Sequence, residues 1–239
     1  MAVGFDAAAQ HIHPYYLELQ QTILNLLPFG AQEDFLLVDL GGGSGRLAAL
    51  ALERFPRAHV IVVDQSEAFL VLAEQRLAPF NGRGHCLTAR LQDAWASRLS
   101  RPPAALVSMS AIHHLAPAEK QDLYRRCQGA LAPGGLLLNG DEVRPDSDAD
   151  YLAECQRWVG HKKQAMATGL ITGPIRDALR QWEQRNVAGF GGPRVSGDDC
   201  HETASAQLDY FKAARFAQAD MPWRRGLWAV LRGIKAPTV

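Results

Sequence analysis

The stretch "VDLGGGSGR", Val38 to Arg46, carries an apolar run onto an acid and then breaks into four glycines within five positions. Glycine at that density weakens any helix or strand, so the stretch reads as a turn whose backbone something approaches closely. Upstream, Phe35-Leu36-Leu37-Val38 is a short apolar run suited to a buried strand. Downstream, Leu47-Ala48-Ala49-Leu50-Ala51-Leu52 consists of good helix formers until Pro56 stops the pattern. Strand, glycine turn and helix in that order bring main-chain N–H groups and a helix N-terminus to a polar ligand.

The same rhythm continues along the chain. "AHVIVVD" predicts a second buried strand ending in Asp64, followed by a helix in "SEAFLVLAEQRLAPF" with Ser66 as N-cap and Pro79 as stop. "HCLTARL" is a weaker third strand ending near Asp93, and "AALVSMS" a fourth that ends before "AIHHL". A helix entered through Pro117 and closed by Pro133-Gly134-Gly135 leads to a fifth strand, "LLLNGDEV". Strands alternating with helices of this length imply a parallel sheet covered on both faces. Ahead of the first strand, "HPYYLELQQTILNLLPF" predicts an amphipathic helix with Pro14 in its first turn and Leu19, Ile23, Leu26 and Leu27 on one face. Beyond Arg144 the pattern becomes helical, interrupted by glycine and proline, and then a flexible "AGFGGPRVSGDD". The β-α rhythm resumes with "HETASAQLDYFKAA", "FAQADM" and "GLWAVLRGI". The division is an N-terminal helical cap over 1–34, a core over 35–143, a helical insertion over 144–200 and a closing helix and hairpin over 201–239. An insertion after a strand's C-terminal end lies where open α/β sheets bind ligands, so it reads as a lid.

Bulk properties remove several classes. With 239 residues, 47% hydrophobic and 21% charged, the chain fits one substantial α/β domain. A formal net charge of zero gives no global field for nucleic acid or anionic lipid. Cys86, Cys127, Cys155 and Cys200 are scattered without a Cys-x-x-Cys pair, so neither a disulfide framework nor a metal site is expected. A reducing cytoplasm is the default compartment, with no membrane segment.

Two frames fit the glycine turn. Gly43-Ser44-Gly45-Arg46-Leu47-Ala48 matches the G-x-G-x-x-A dinucleotide fingerprint, with Asp64 about twenty residues on. No Tyr-x-x-x-Lys pair is present for hydride chemistry, which weakens that frame. In the other, Asp39-x-Gly41-x-Gly43-x-Gly45, the chain resembles the class I S-adenosylmethionine-dependent methyltransferases. The likeness continues through "VVDQSEAFL", "LQDAW", "LVSMSAIHHL", "LAPGGLLL" and the closing "YFKAARFAQADMPWRRGLWAVLRGIK". It implies a Rossmann-like fold with a seven-stranded, mostly parallel sheet in the order 3-2-1-4-5-7-6. It also implies S-adenosyl-L-methionine as cofactor, held by Gly41, Gly42, Gly43 and Gly45, with Asp64 and Gln65 at the ribose. Asp93 and Ala94 are implied at the adenine, and Met109 and Ser110 at the methionine end. A Cβ at Gly41 or Gly43 would hold the ligand off the main chain. Arg215 takes the usual glycine position in "KAARF", at a cost of about 1 kcal/mol if it is left-handed.

His113 and His114 follow the fourth strand beside the expected methyl group. They are candidates for general base, against a reading in which "IHHL" is a structural turn. Proximity alone can carry methyl transfer, since the methyl carbon is already electrophilic. Tyr16 either reaches the cofactor or is a core aromatic, and His11 and His13 are expected in solvent. The resemblance implies methyl transfer to a small-molecule acceptor and leaves a homodimer open. Nucleic-acid methylation is disfavoured by the neutral charge and the lack of an Asn/Asp-Pro-Pro-aromatic motif. The similar carboxy-S-adenosylmethionine synthases share the entry helix and insertion, which in them presents an arginine; Arg176, Arg180 and Arg185 stand in that region here. A non-catalytic binding protein is the third alternative.

Overall fold

The computed structural model describes residues 2–171 and 173–238. β1 (Leu36–Leu40) is buried along its whole length, as a strand read as a continuous apolar run should be. Its parallel neighbours are β2 (His59–Asp64) and β4 (Ala105–Met109). β3 (Gly84–Thr88) pairs in parallel with β2, and β5 (Leu136–Glu142) with β4. β7 (Trp228–Ile234) runs antiparallel between β5 and β6 (Gln218–Arg225). The order is β3-β2-β1-β4-β5-β7-β6, as expected. Succession reverses between β1 and β4, and the crevice at their C-terminal ends is the place where such sheets bind ligands.

α3 (Arg46–Arg54), α4 (Glu67–Leu77), α5 (Pro117–Ala130) and α8 (Ala204–Ala213) cover the two faces. Ser66 Oγ accepts from Phe69 N at 3.4 Å to cap α4, and Pro117 opens α5, both at the predicted positions. α2 (Tyr16–Asn25) presses Leu19 and Ile23 onto β5 at Gly140, where a Cβ would lie 2.7 Å from Ile23. A buried chain of polar groups ties the other face: Asn139 Nδ2 donates to Tyr124 OH at 3.1 Å, which donates to Gln207 Oε1 at 2.8 Å. Buried polar atoms are tolerable only when partnered in this way.

Three helices form a cap over the crevice. α1 (Ala2–Ile12) packs Ala8 and Ile12 with Ala165 of α6 (Asp148–Ala167) and with Ile175 and Leu179 of α7 (Pro174–Glu183). Trp158 Nε1 donates to Ile12 O at 2.7 Å, fixing α6 to α1. Several expectations change here. Pro14 lies in the turn between α1 and α2, because Tyr15 at φ +63° breaks the helix before Tyr16. The stretch after α7 is tied to the turn after β4 at two points, with Gly197 N donating to His114 O and Cys200 N to His113 O, each at 2.8 Å. Arg215 does adopt the left-handed conformation, at φ +66°.

Candidate functional site

A cavity of about 620 Å³ runs from the glycine turn to the cap. Gly41, Gly42, Gly43, Asp64, Gln65, Met109 and Ser110 all line it, as does Tyr16. Gly45, Asp93 and Ala94 are not among the lining residues; Gln92 is. The Asp93 carboxylate instead closes its own turn, accepting from Arg90 N at 2.8 Å. Asp64 accepts from Gly43 N at 2.9 Å and from Ser66 N at 2.8 Å, so it shapes the glycine turn as well as facing the cavity.

The glycines are needed for different reasons than ligand clearance alone. A Cβ on Gly41, at φ +68°, would stand 2.4 Å from the Ala111 Cβ, and one on Gly42 would stand 2.6 Å from Asp39 Oδ2. Only Gly43, at φ +53°, has open space above it. Gly41 and Gly42 therefore let the turn lie against the turn that follows β4 and over Asp39. Asp39 is buried with both carboxylate oxygens unpartnered, and burial together with the Asp64 charge pushes it up to about 7. A buried acid without a donor is costly unless a positive group comes to it.

α1 is clamped to this turn by a charge cluster outside the expected set. Asp6 pairs with Arg46 at 2.8 Å and Arg76 at 2.9 Å, and Ser44 Oγ donates to it as well. Burial works against the Asp6 carboxylate, but hydrogen bonds from Arg46, Ser44 and Arg76 hold it down at about 2.

The far end of the cavity is built around His113 and His114, on the turn after β4. His113 is buried, with Nδ1 2.6 Å from Asp141 Oδ1 and 2.9 Å from Glu142 Oε2. Its backbone N–H donates to Asp141 Oδ2 at 2.8 Å. Burial opposes charge on this ring, yet Glu142 and Asp141 outweigh it and raise it well above the ordinary histidine range. His114 is half-exposed, and the His113 charge, then burial, push it down to about 4. Asp199 reaches both rings, with Oδ1 3.6 Å from His113 Nε2 and 3.5 Å from His114 Nδ1. Its loop is anchored by Lys120, whose buried Nζ donates to Cys200 O and to Glu202 Oε2 at 2.9 Å. His13 is no solvent residue: its Nδ1 lies 3.4 Å from buried Glu142.

From the cap comes Lys162, 3% exposed, with Nζ 3.6 Å from the Trp158 ring centroid and 3.2 Å from that of Trp182. Burial pushes it down to about 7. No carboxylate pairs with it among the described residues. Arg176, Arg180 and Arg185 are not lining residues; Arg176 donates to Met166 O, while Arg180 and Arg185 pair with Asp177 and Asp198. Asp141, Glu142, Lys162 and Asp199 escaped sequence reasoning, since an acid pair on a strand and a lysine in an amphipathic helix carry no local mark. Tyr16 is pushed up to about 12 by burial, and so stays a neutral phenol.

Residues 38–137 match the family model described as a methyltransferase domain. Acetylserotonin O-methyltransferase of Mus musculus is 32% identical over 51% of this chain and 30% of its own length. Carboxy-S-adenosyl-L-methionine synthase of Pseudomonas savastanoi pv. phaseolicola is 29% identical over 62% of each chain. The chain thus spans about a third of the first relative and under two thirds of the second. The S-adenosylmethionine-dependent methyltransferase SibL, solved in its apo form, superposes with a TM-score of 0.61 over 93% of this chain and 56% of its own, at 16% identity. That likeness establishes the Rossmann-like methyltransferase fold.

Proposed function

We propose that this chain, which carries a methyltransferase domain over residues 38–137, binds S-adenosylmethionine in the glycine-turn half of the cavity. We further propose that it moves the donor's methyl group to a small molecule held under the cap. The observation that carries this reading is the single cavity itself, continuous from Asp64 and the glycine turn to the His113-His114 wall. The residues present fit the cofactor. Asp39 is an unpartnered buried carboxylate beneath the turn, suited to a ligand carrying ammonium and sulfonium charge. Asp64 keeps lone pairs for a ribose diol beyond those given to Gly43 N and Ser66 N. Residues 89–92, which line the cavity, take the adenine place first assigned to Asp93 and Ala94.

When bound, the cofactor supplies an electrophilic methyl group. The chain's own contribution is orientation. His113, pinned between Asp141 and Glu142, already holds its proton and serves as a fixed wall. His114 is the reachable neutral ring, but at about 4 it is a weak base, so positioning does most of the catalysis. Lys162, about half protonated near pH 7, supplies an unpaired amine at the acceptor end that an acceptor's carboxylate would hold in its charged form. α6 and α7 contribute Trp158, Lys162, Leu179 and Trp182 to the lining and act as a lid. Hydrogen exchange across 150–186 is expected to slow when the demethylated donor binds. The four cysteines are free, which supports a reducing, cytoplasmic setting; no described helix is long and apolar enough to cross a membrane.

Titration calorimetry with S-adenosylmethionine is the direct test. Asp64→Ala is expected to remove a charge-assisted contact of about 1.5–3 kcal/mol, roughly ten- to over a hundred-fold in affinity. Undiminished binding would overturn this placement. A carboxylated donor is the second reading, favoured by Lys162 and the synthase match. Formation of carboxy-S-adenosylmethionine from donor and prephenate, seen by mass, would select it; binding without any turnover would select a non-catalytic role.

A further inference from the structure

His113, His114 and Asp199 each offer one ligand atom, and those atoms all lie within 4.8 Å of one another. The two separations to Asp199 Oδ1, 3.6 Å from His113 Nε2 and 3.5 Å from His114 Nδ1, are longer than ordinary hydrogen bonds, and His114 Nδ1 has only a long 3.4 Å contact with Asp198 O to release. Both separations are close to the roughly 3.3 Å edge of a tetrahedron whose metal–ligand bonds are about 2.05 Å. We propose that His113 Nε2, which releases its proton to solvent on binding, His114 Nδ1 and Asp199 Oδ1 bind a divalent first-row transition ion, with its remaining positions open to the cavity. Two imidazoles and one carboxylate suit zinc, iron(II) or cobalt rather than magnesium or calcium, which prefer oxygen.

The surroundings are those of a built site. His113 presents Nε2 because Nδ1 is committed to Asp141 at 2.6 Å, the carboxylate–histidine arrangement that orients metal-bound rings. Asp199 is 7% exposed and its Oδ2 accepts from Asn186 Nδ2 at 3.0 Å, leaving Oδ1 without a hydrogen bond and on the cavity wall. The loop holding it is bonded directly to the backbone of both histidines, so the three ligands move as one unit. Charge points the same way. Asp141, Glu142 and Asp199 are three buried carboxylates gathered on one histidine, and buried charges persist when paired or when coordinating a metal. His113, Glu142 and His201 also bring ligand atoms within 4.8 Å, but Glu142 and His201 do not line the cavity. No Cys or His spacing announces the site, because its ligands come from the turn after β4 and from a loop over eighty residues later.

An ion here would hold an oxygen-bearing acceptor by its open positions, a clause that rests on the methyltransferase reading. The binding site itself does not, so it is tested without donor. Zinc is titrated into the full chain by calorimetry, and cobalt(II) is followed by its visible d–d absorption. One ion per chain is expected, with His114→Ala and Asp199→Asn each weakening zinc at least about a hundredfold and Asp141→Asn about 10- to 100-fold. His85→Ala, at an exposed histidine, should change nothing. His114 is half-exposed and Asn keeps the shape of Asp199, so at least one of these two variants should melt near the parent temperature. Zinc binding weaker than about 100 μM in the parent, or equal in the parent and in the folded variants, would overturn the proposal. Donor affinity measured separately keeps a failure of this site distinct from a failure of the donor pocket.

Discussion

The two halves of the cavity are built in opposite ways. The glycine-turn half draws its lining from residues 39–111, in pieces that lie at the C-terminal ends of parallel strands, in the turns after them or in the first turn of the next helix. The cap half collects α1, α6, α7 and the loop near Asp199, segments separated by up to about two hundred residues and joined only through packing. Strand-tip turns are constrained locally by backbone angles and close approach. The cap is held by a few side chains, chiefly Asp6, Trp158 and the apolar seam of Ile12, Ile175 and Leu179. Perturbation of the first half should therefore reach the whole fold, whereas perturbation of the second should stay local and change what the site accepts.

The largest effect is expected at Gly41. A valine there must take φ +68° and place its Cβ within 2.4 Å of Ala111, in the turn that follows β4. Left-handed strain and overpacking together should cost about 3 kcal/mol or more of stability, read by urea denaturation. Gly43→Ala meets nothing within 4 Å and should cost only about 1 kcal/mol, from φ +53°, while still weakening donor binding. Equal losses at the two positions would show that the glycine turn is not pinned by the one after β4.

Lys162 sharpens the contrast from the cap side. Its folded value near 7 lies below its ordinary 10.5, so below pH 7 both states carry the proton and the burial penalty is constant. Between about 7 and 10.5 the unfolded chain keeps a proton that the folded chain has released. Stability of the parent should then rise with pH, by up to about 1.4 kcal/mol per unit. Lys162→Met should flatten that rise, leaving a difference between the two proteins of roughly 2 kcal/mol across pH 7 to 9. Parallel curves would mean that the ammonium keeps its charge between the two tryptophans.

What was legible in the sequence divides along the same line. Asp39, Gly41 to Gly43, Asp64 and the β4 tip follow strands whose apolar runs and stops mark them, so the sheet order and these cavity-lining residues could be placed. Asp93, expected at the adenine, does not line the cavity, and its carboxylate bonds its own turn at Arg90 N, a choice no motif reveals. Asp199, Lys162 and Asp6 acquire meaning only when helices distant in sequence meet. His13 looked like a solvent residue because the helix before it, rich in alanine, offered no strong period; α1 then carries it against Glu142.

Asp6→Asn should have a smaller and more local effect. The carboxyl lies near 2 in the folded protein against an ordinary 3.8, so its stabilisation is complete above about pH 4 and is lost as pH falls toward 2. Solvent reaches Arg46 and Arg76, which limits the contribution to about 1 kcal/mol at neutral pH. Hydrogen exchange in α1 should quicken in the variant at pH 7 and match the parent near pH 2. Unchanged exchange at pH 7 would show that apolar packing alone holds the helix down.

The smallest effect is expected where neither half of the cavity is involved. Arg215 follows α8 at φ +66°, its N–H donating to Lys212 O at 2.9 Å, while Phe216 N closes the helix end on Phe211 O at 3.2 Å. This is the position where glycine ends a helix without strain, and arginine there costs about 1 kcal/mol. Arg215→Gly removes that strain but gives the unfolded chain more freedom, so the net gain should be about 0.5 kcal/mol. It should show as a higher urea midpoint with an unchanged slope. Arg215 is not a lining residue, so donor and zinc affinities should both stay at parental values. A change in either affinity would mean that stability alone moves the site, and the losses expected at Gly41 and His114 would then need correction for it.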